Sequence, residues 1–166
     1  MPQLCAETLI KKLNLEPHIE GGFFRRTFTS SSSDDQHAFC SSIYYLLCIS
    51  SPLGHLHKNQ SDIIHYHHSG TALKYTTISP KGELSETILG SDITRGEQPQ
   101  LLVQGGYWKA TELVKQEHIS ADYCLISEAV IPGFRYQDME LATAANIRQQ
   151  FPSLVNHLLP LIKSEI

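Results

Sequence analysis

The sequence predicts an all-β protein, an antiparallel sandwich or barrel with a short helix in front of it and a helical tail behind. Eight short runs rich in β-branched and aromatic residues follow one another at close, turn-separated intervals. Between them lies no stretch of helical periodicity to act as the crossover that a parallel sheet requires. Helical spacing of apolar residues is confined to the segments before the first run and after the last.

In residues 6–15, Leu9, Ile10 and Leu13 form an apolar side with Glu7, Lys11 and Lys12 elsewhere, which predicts an amphipathic helix packed on a sheet edge. Strands are expected over residues 23–29, 39–49, 63–68, 73–78, 83–89, 100–103, 107–113 and 123–130. The polar stretch 30–36 reads as an exposed mobile loop, because Ser and Asp side chains compete with the ladder for backbone hydrogen bonds. Ser79-Pro80-Lys81-Gly82 predicts a tight hairpin, with Pro presetting φ and Gly accepting positive φ. After Pro132-Gly133 the period turns helical over 142–151 and 153–162, with Leu154, Leu158, Leu161 and Ile162 on one stripe and Pro160 shortening or kinking it.

A chain of 166 residues suits one domain, here a barrel core over about 20–141 and a tail over 142–166. With 41% hydrophobic and 18% charged residues it can bury enough surface to offset its ordering entropy, which excludes wholesale disorder. Thirteen Lys and Arg against seventeen Asp and Glu leave a formal charge of −4, so no global field attracts nucleic acid or anionic lipid. The apolar run 43–49 is too short to span a bilayer, and no export signal precedes it. Cys5, Cys40, Cys48 and Cys124 form no C-x-x-C pair and read as reduced, which places the expected home in the cytoplasm.

Histidine supplies the chemical signal. Five of the nine, His55, His57, His65, His67 and His68, fall between positions 55 and 68. On strands, residues i and i+2 share a face, so His55 pairs with His57 and His65 with His67, while Tyr66 and His68 point the other way. Residues 58–64 allow a reversal that would set the two strands side by side. Converging neutral imidazoles suit Zn, Cu, Ni or Fe(II); the same rings could equally line a polar pocket with no metal.

Several motifs complete the picture: His18-Ile19-Glu20-Gly21-Gly22-Phe23-Phe24-Arg25, Ser42-Ile43-Tyr44-Tyr45-Leu46-Leu47, the segment 57–70 with Ser61-Asp62 and His68, Leu89-Gly90, Gly96-Glu97-Gln98-Pro99-Gln100, Gly106-Tyr107-Trp108, Pro132-Gly133-Phe134 and Asp138-Met139-Glu140-Leu141. In order and spacing they resemble a single-domain subfamily of the RmlC-like cupins, of the Cupin_5 type, whose activity is largely undefined. The resemblance implies a small jelly roll, usually a homodimer, with a pocket inside the barrel. In metal-binding cupins that pocket holds two His and a Glu from one motif and a His from another. Carried across, the first ligand falls on His57, but the second His on Asn59, the Glu on Ile63 and the last His near Lys109. An Ile in place of an anionic ligand and a nearby ammonium argue against the standard site. A divalent transition metal then needs His57, His65 and His67.

Sugar-epimerase cupins work without metal, through a His base and a Tyr acid. By that analogy His57 is the base candidate, with Tyr45 or Tyr107 as acid and His68 and Asp62 in support. Candidate ligand contacts are Arg25, expected to face the barrel while Arg26 is solvated; Trp108, for stacking; Lys109, on the opposite side from Trp108; and Glu128, whose burial would raise its pKa toward general-acid use, although a surface-facing Glu is the plainer reading. Glu20-Gly21-Gly22 reads first as a turn or bulge. The expected ligand is a small polar or sugar-like molecule. The functions in play are epimerase- or isomerase-like acid–base chemistry, a metal-dependent oxygenase or isomerase, and a non-catalytic binding or dimer-forming module.

Overall fold

The computed structural model describes residues 4–31, 37–114 and 121–164. In chain order the helix α1 (Ala6–Leu13) leads into β1 (Glu16–Pro17), β2 (Phe23–Thr29), β3 (Ser41–Cys48), β4 (Leu53–Asn59), β5 (Asp62–Gly70), β6 (Leu73–Ile78), β7 (Leu84–Leu89), β8 (Gln100–Val103), β9 (Trp108–Leu113), β10 (Tyr123–Ile131) and β11 (Met139–Leu141). Helices α2 (Ala144–Gln150) and α3 (Val155–Leu158) follow, with 3-10 turns on either side of α3. One sheet has the order β1-β2-β3-β10-β5-β8, the other β11-β4-β9-β6-β7, and the paired strands run antiparallel.

Alternation along the strands explains why the two sheets close on each other. Ile43, Tyr45 and Leu47 of β3, with Cys124 and Ile126 of β10, meet Leu73 and Tyr75 of β6 and Leu89 of β7 in one buried cluster between the sheets. The opposite faces are covered by helices. Leu46, Cys48, Tyr123 and Leu125 lie under Ala6 and Leu9 of α1, while Leu56, Ile78, Trp108 and Ala110 pack against Ile147, Leu158 and Leu161 of the tail. The result is the expected jelly roll with a helix before and helices after.

Strands 23–29, 73–78 and 100–103 have the expected bounds, and the Ser79–Gly82 reversal forms with Gly82 at φ +84° and its N–H donating to the Ser79 carbonyl at 2.8 Å. All four cysteines are free. Among the described residues no helix is long and apolar enough to cross a membrane. Residues 32–36 of the expected mobile loop lie outside the described residues, but Ser30 exchanges hydrogen bonds with Cys40 at its base.

Three expectations are corrected. Helix α1 packs on the face of the central strands β3 and β10 rather than on an edge, because its apolar side matches the outward Leu46 and Leu125. Strands β4 and β5 do not pair: the chain turns the corner at Gln60-Ser61 and the two strands enter different sheets. A register shift between Gly54 and His57 also breaks the alternation in β4, so Leu53 and Leu56 both face the tail and His55 does not share the face of His57.

The loop before β2 depends on glycine. A Cβ on Gly21, at φ +99°, would collide with the Leu53 carbonyl oxygen, whereas one on Gly82, also at positive φ, would meet only Phe151 ring carbons at 3.7 and 3.8 Å. Gly82→Ala is therefore expected to cost about 1 kcal/mol from backbone conformation alone, and Gly21→Ala about 2–4 kcal/mol because main chain must move as well. Urea unfolding of the two variants side by side checks the difference.

Candidate active site

Inside the barrel, His18, Glu20, Phe24, Arg26, Ile43, Tyr45, His57, Asn59, Ile63, Glu128, Val130 and Phe134 surround a pocket of about 410 Å³, open solvent at its mouth included. Its floor is built by the turn at residues 18–22 and by β4. That turn is pinned on every side. His18 N–H donates to the Gly22 carbonyl at 3.0 Å, His55 N–H to the Glu20 carbonyl at 2.6 Å, the Tyr45 hydroxyl to the Gly21 carbonyl at 2.9 Å, and Gly22 N–H to Ser51 Oγ at 2.8 Å. The Glu20 carboxylate is thus held in the interior, on a residue only 7% exposed.

The ring nitrogens reveal how protons are arranged around it. His57 Nδ1 lies 2.7 Å from the His55 carbonyl, which can only accept, so Nδ1 carries the hydrogen and Nε2 presents a lone pair. His57 Nε2 stands 3.2 Å from Glu20 Oε2 and is itself buried without a hydrogen-bond partner. Burial pushes the Glu20 carboxyl up to about 8, the Glu128 charge adding to it against the opposing Lys109, while burial and then Lys109 push His57 down to about 3, so both groups are neutral near pH 7. On the other side of Glu20, His18 Nδ1 accepts the Glu20 backbone N–H at 3.3 Å and stands 3.6 Å from Oε2. His18 therefore carries its hydrogen on Nε2, and burial lowers its pKa to about 4. One carboxyl is flanked by two neutral imidazoles in opposite tautomers.

A second group of charges crosses the barrel behind the floor. His57 and Lys109 are opposite each other on β4 and β9; Glu128 and His65 are opposite each other on β10 and β5 of the facing sheet. Lys109 Nζ reaches over to His65 Nε2 at 2.8 Å and Glu128 Oε1 at 3.5 Å. His65 Nδ1 donates to the Leu101 carbonyl at 3.2 Å, so its Nε2 is the acceptor of the ammonium proton. Burial alone would raise the Glu128 carboxyl, but Lys109, with His65 and His57, holds it well below the usual carboxylate range. Glu128 is therefore an ionised partner rather than a surface residue or a general acid.

The sequence matches the Cupin_5 family, described as the Cupin superfamily (DUF985), over residues 7–142. The chain belongs to this cupin family. It is 34% identical over 152 residues to the uncharacterized protein YML079W of Saccharomyces cerevisiae, covering 82% of this chain and 75% of the yeast protein. Among solved structures, protein SO0799 from Shewanella oneidensis is 33% identical with a TM-score of 0.89, over 98% of this cupin and 100% of that chain. A hypothetical protein from Leishmania major is 28% identical, also with a TM-score of 0.89, over 97% and 100%.

The four positions that match the ligands of metal-binding cupins do not fit a dication in this cupin. His57 and Asn59 line the pocket, but Ile63 supplies no donor and Lys109 brings a buried ammonium to the same wall. The alternative set of His57, His65 and His67 does not form either, because His65 Nε2 is taken by Lys109 and His67 Nε2 donates to the Thr71 carbonyl at 3.2 Å. Among the described residues no three His, Cys, Asp or Glu side chains group as metal ligands.

Other candidates lie elsewhere. His68 is exposed on the outer face, its ring 6.2 Å from that of Tyr44. Asp62 is also exposed and accepts the Gly105 N–H at 2.8 Å, which fixes a turn and leaves His57 unsupported by it. Trp108 is buried outside the barrel against the tail, under Lys58, and Tyr107 lines a separate groove between β7 and β8, so neither reaches the pocket. Tyr45 does line it, but with its hydroxyl given to Gly21 and its pKa raised by burial it positions the Glu20 turn and is no acid. Arg25 faces outward over the Tyr44 ring at 5.8 Å, and its neighbour Arg26 enters the mouth instead. His18, Arg26, Asn59 and Phe134 were missed. The signal available for His18 and Glu20 was their position two residues apart just before a glycine pair, two chemically competent residues in a segment otherwise read as a turn.

Replacing Lys109 by Met strands Glu128 and His65 in the interior and is expected to cost about 3–5 kcal/mol in urea unfolding. Adding Glu128→Leu to that variant is expected to return most of the loss, because no buried charge is then left alone. For Glu20 the sign follows from a folded pKa raised above its ordinary 4.5. Unfolded chains release this proton first, so the stability it contributes is complete below about pH 4.5 and declines as pH rises toward 8. His57 acts in the opposite sense below its ordinary 6.5, but does so with or without the carboxyl. Glu20→Gln is therefore expected to gain about 1–3 kcal/mol on wild type between pH 5 and pH 8.5, since each tenfold change in proton affinity is worth about 1.4 kcal/mol. Thermal unfolding at both pH values checks it.

Proposed function

We propose that this cupin carries out metal-free proton transfer on a small polar molecule bound in the barrel, of the kind that epimerises or isomerises a carbon next to a carbonyl. The observation that supports this reading is a buried His57 Nε2 lone pair without a hydrogen-bond partner, 3.2 Å from a Glu20 carboxyl that burial keeps protonated at neutral pH. His57 Nε2 takes the proton of the carbon–hydrogen bond, the electron pair moves toward the carbonyl oxygen, and the Glu20 carboxyl protonates that oxygen. The pair passes from neutral acid and neutral imidazole to carboxylate and imidazolium. The net charge of the pair is unchanged, while each group leaves the neutral form that burial favours, which drives the return of both protons. Return of the His57 proton to that carbon or to the former carbonyl carbon, with the enol proton going back to the Glu20 carboxylate, regenerates the resting pair.

Lys109 and Glu128 take no part in bond making. Their paired charges flank the floor and set the field in which Glu20 and His57 divide one proton. The apolar walls, Phe24, Ile43, Ile63 and Val130, limit water near the reacting carbon.

Incubation of the purified protein with a metabolite extract in D2O, read by mass spectrometry, tests the reading. At least one compound is expected to gain a single deuterium with wild type, and labelling is expected to fall by about 100-fold or more with His57→Gln, within the range for losing a general base. The absence of any wild-type-dependent label, or label that persists in His57→Gln, overturns it.

A further inference from the structure

We propose that the barrel pocket is an oxyanion site, taking a small carboxylate or phosphate ester that also bears a hydroxyl or amine, with Arg26 holding the anionic end at the mouth and Asn59 the polar end from the pocket wall. The site rests on its own geometry; only the statement of which end reacts depends on the proton-transfer reading above.

The register of the first sheet lays out the pocket as a line. Arg26 is opposite Ile43, Ile43 opposite Glu128, and Glu128 opposite His65. Its ends differ in burial, Arg26 being exposed and His65 fully buried, so the line runs from the mouth inward. With neighbouring strands about 4.8 Å apart, the Arg26 backbone stands roughly 10 Å from that of Glu128, and Ile43 lies between them. A molecule spanning that interval meets a cation, an apolar wall and then the polar floor.

Arg26 is prepared for an oxyanion. Its guanidinium lies over the Phe134 ring, 5.7 Å from the centroid, which sets its plane. Its only hydrogen bond among the described residues is a long one, 3.5 Å from Nη1 to the Phe134 carbonyl. No carboxylate pairs with it among the described residues. The remaining N–H groups form the planar fork that binds a carboxylate or phosphate in bidentate fashion.

Charge balance and an orphaned acceptor point the same way. Of the described ionisable groups lining the pocket, His18, His57 and Glu20 are neutral near pH 7 and Glu128 is offset by Lys109, so among the described residues the charge of Arg26 stands unbalanced at the mouth. On the pocket wall the Asn59 Oδ1 atom is buried with no hydrogen-bond partner. Buried acceptors are normally satisfied, and a ligand O–H or N–H supplies what this one lacks.

Three probes of one skeleton test the proposal by titration calorimetry: 4-hydroxybutyrate, 4-hydroxybutyl phosphate and the uncharged 4-hydroxybutanamide. Wild type is expected to bind at least one anion about tenfold or more tighter than the amide, and the tighter of the two identifies carboxylate or phosphate as the preferred head. Arg26→Gln, exposed and expected to melt like wild type, should abolish the preference, Arg26→Lys should keep part of it, and Asn59→Leu should weaken all three probes while preserving it. An amide bound as tightly as both anions, no detectable binding of either anion in the millimolar range, or a preference that survives Arg26→Gln overturns the site. An intact anion preference without deuterium labelling would overturn only the proton-transfer reading; labelling of uncharged compounds that is indifferent to Arg26→Gln would overturn only the anion site.

Discussion

One buried ammonium organises the interior of this cupin. Lys109 leaves β9 in one sheet and reaches His65 and Glu128 in the other, so the two layers are joined at their centre by a charge-assisted contact as well as by apolar packing. Such a group is stable only while every member has a partner, because an unpaired buried charge costs more than the pair gains. That requirement constrains the neighbourhood. It keeps Glu128 ionised and keeps His65 neutral with a single defined tautomer, and it places a fixed positive charge beside His57. The position where a metal-binding cupin would gather ligands around a dication is here occupied by a protein cation with its own counter-ion.

The Glu20–His57 pair is the complementary arrangement. Here the interior holds a carboxyl and an imidazole without charge, and burial drives both toward their neutral forms. The two groups lie side by side because of backbone geometry rather than mutual attraction. The glycine pair lets the turn at 18–22 approach β4 closely, and the Tyr45 hydroxyl and the His55 N–H hold it there. The interior thus holds two kinds of polar group: Lys109 and Glu128 as a charged pair with the neutral His65, and Glu20, His57 and His18 kept neutral by burial.

Much of the architecture was legible because periodicity reports burial directly. The β-prone run 39–49, observed as a strand over Ser41–Cys48, and the turn at Ser79–Gly82 could be read without any knowledge of partners, and the opposed directions of Trp108 and Lys109 follow from the period of two along a strand. The site was less legible. His57 stood out because histidines cluster around it, yet the cluster itself was misleading: His68 and His55 left the pocket, one through simple alternation and the other through a bulge that shifts register by a residue. Arg26 was passed over for Arg25 because neighbouring residues on a strand differ only in which face is inner, and that depends on the partner strand.

What the sequence determined alone was the set of faces. Its apolar spacing dictates which residues of each strand and helix must leave water, and that suffices for a closed antiparallel shell with helices on its outer sides. Tertiary structure decided which polar residues share the interior. Lys109 and Glu128 are distant in sequence, sit in different sheets, and meet only because those sheets stack; Glu20 meets His57 only because a loop folds over a strand edge. Protonation depends on distance and burial, which a linear pattern does not encode, so the chemistry of the pocket exists only once the shell has closed.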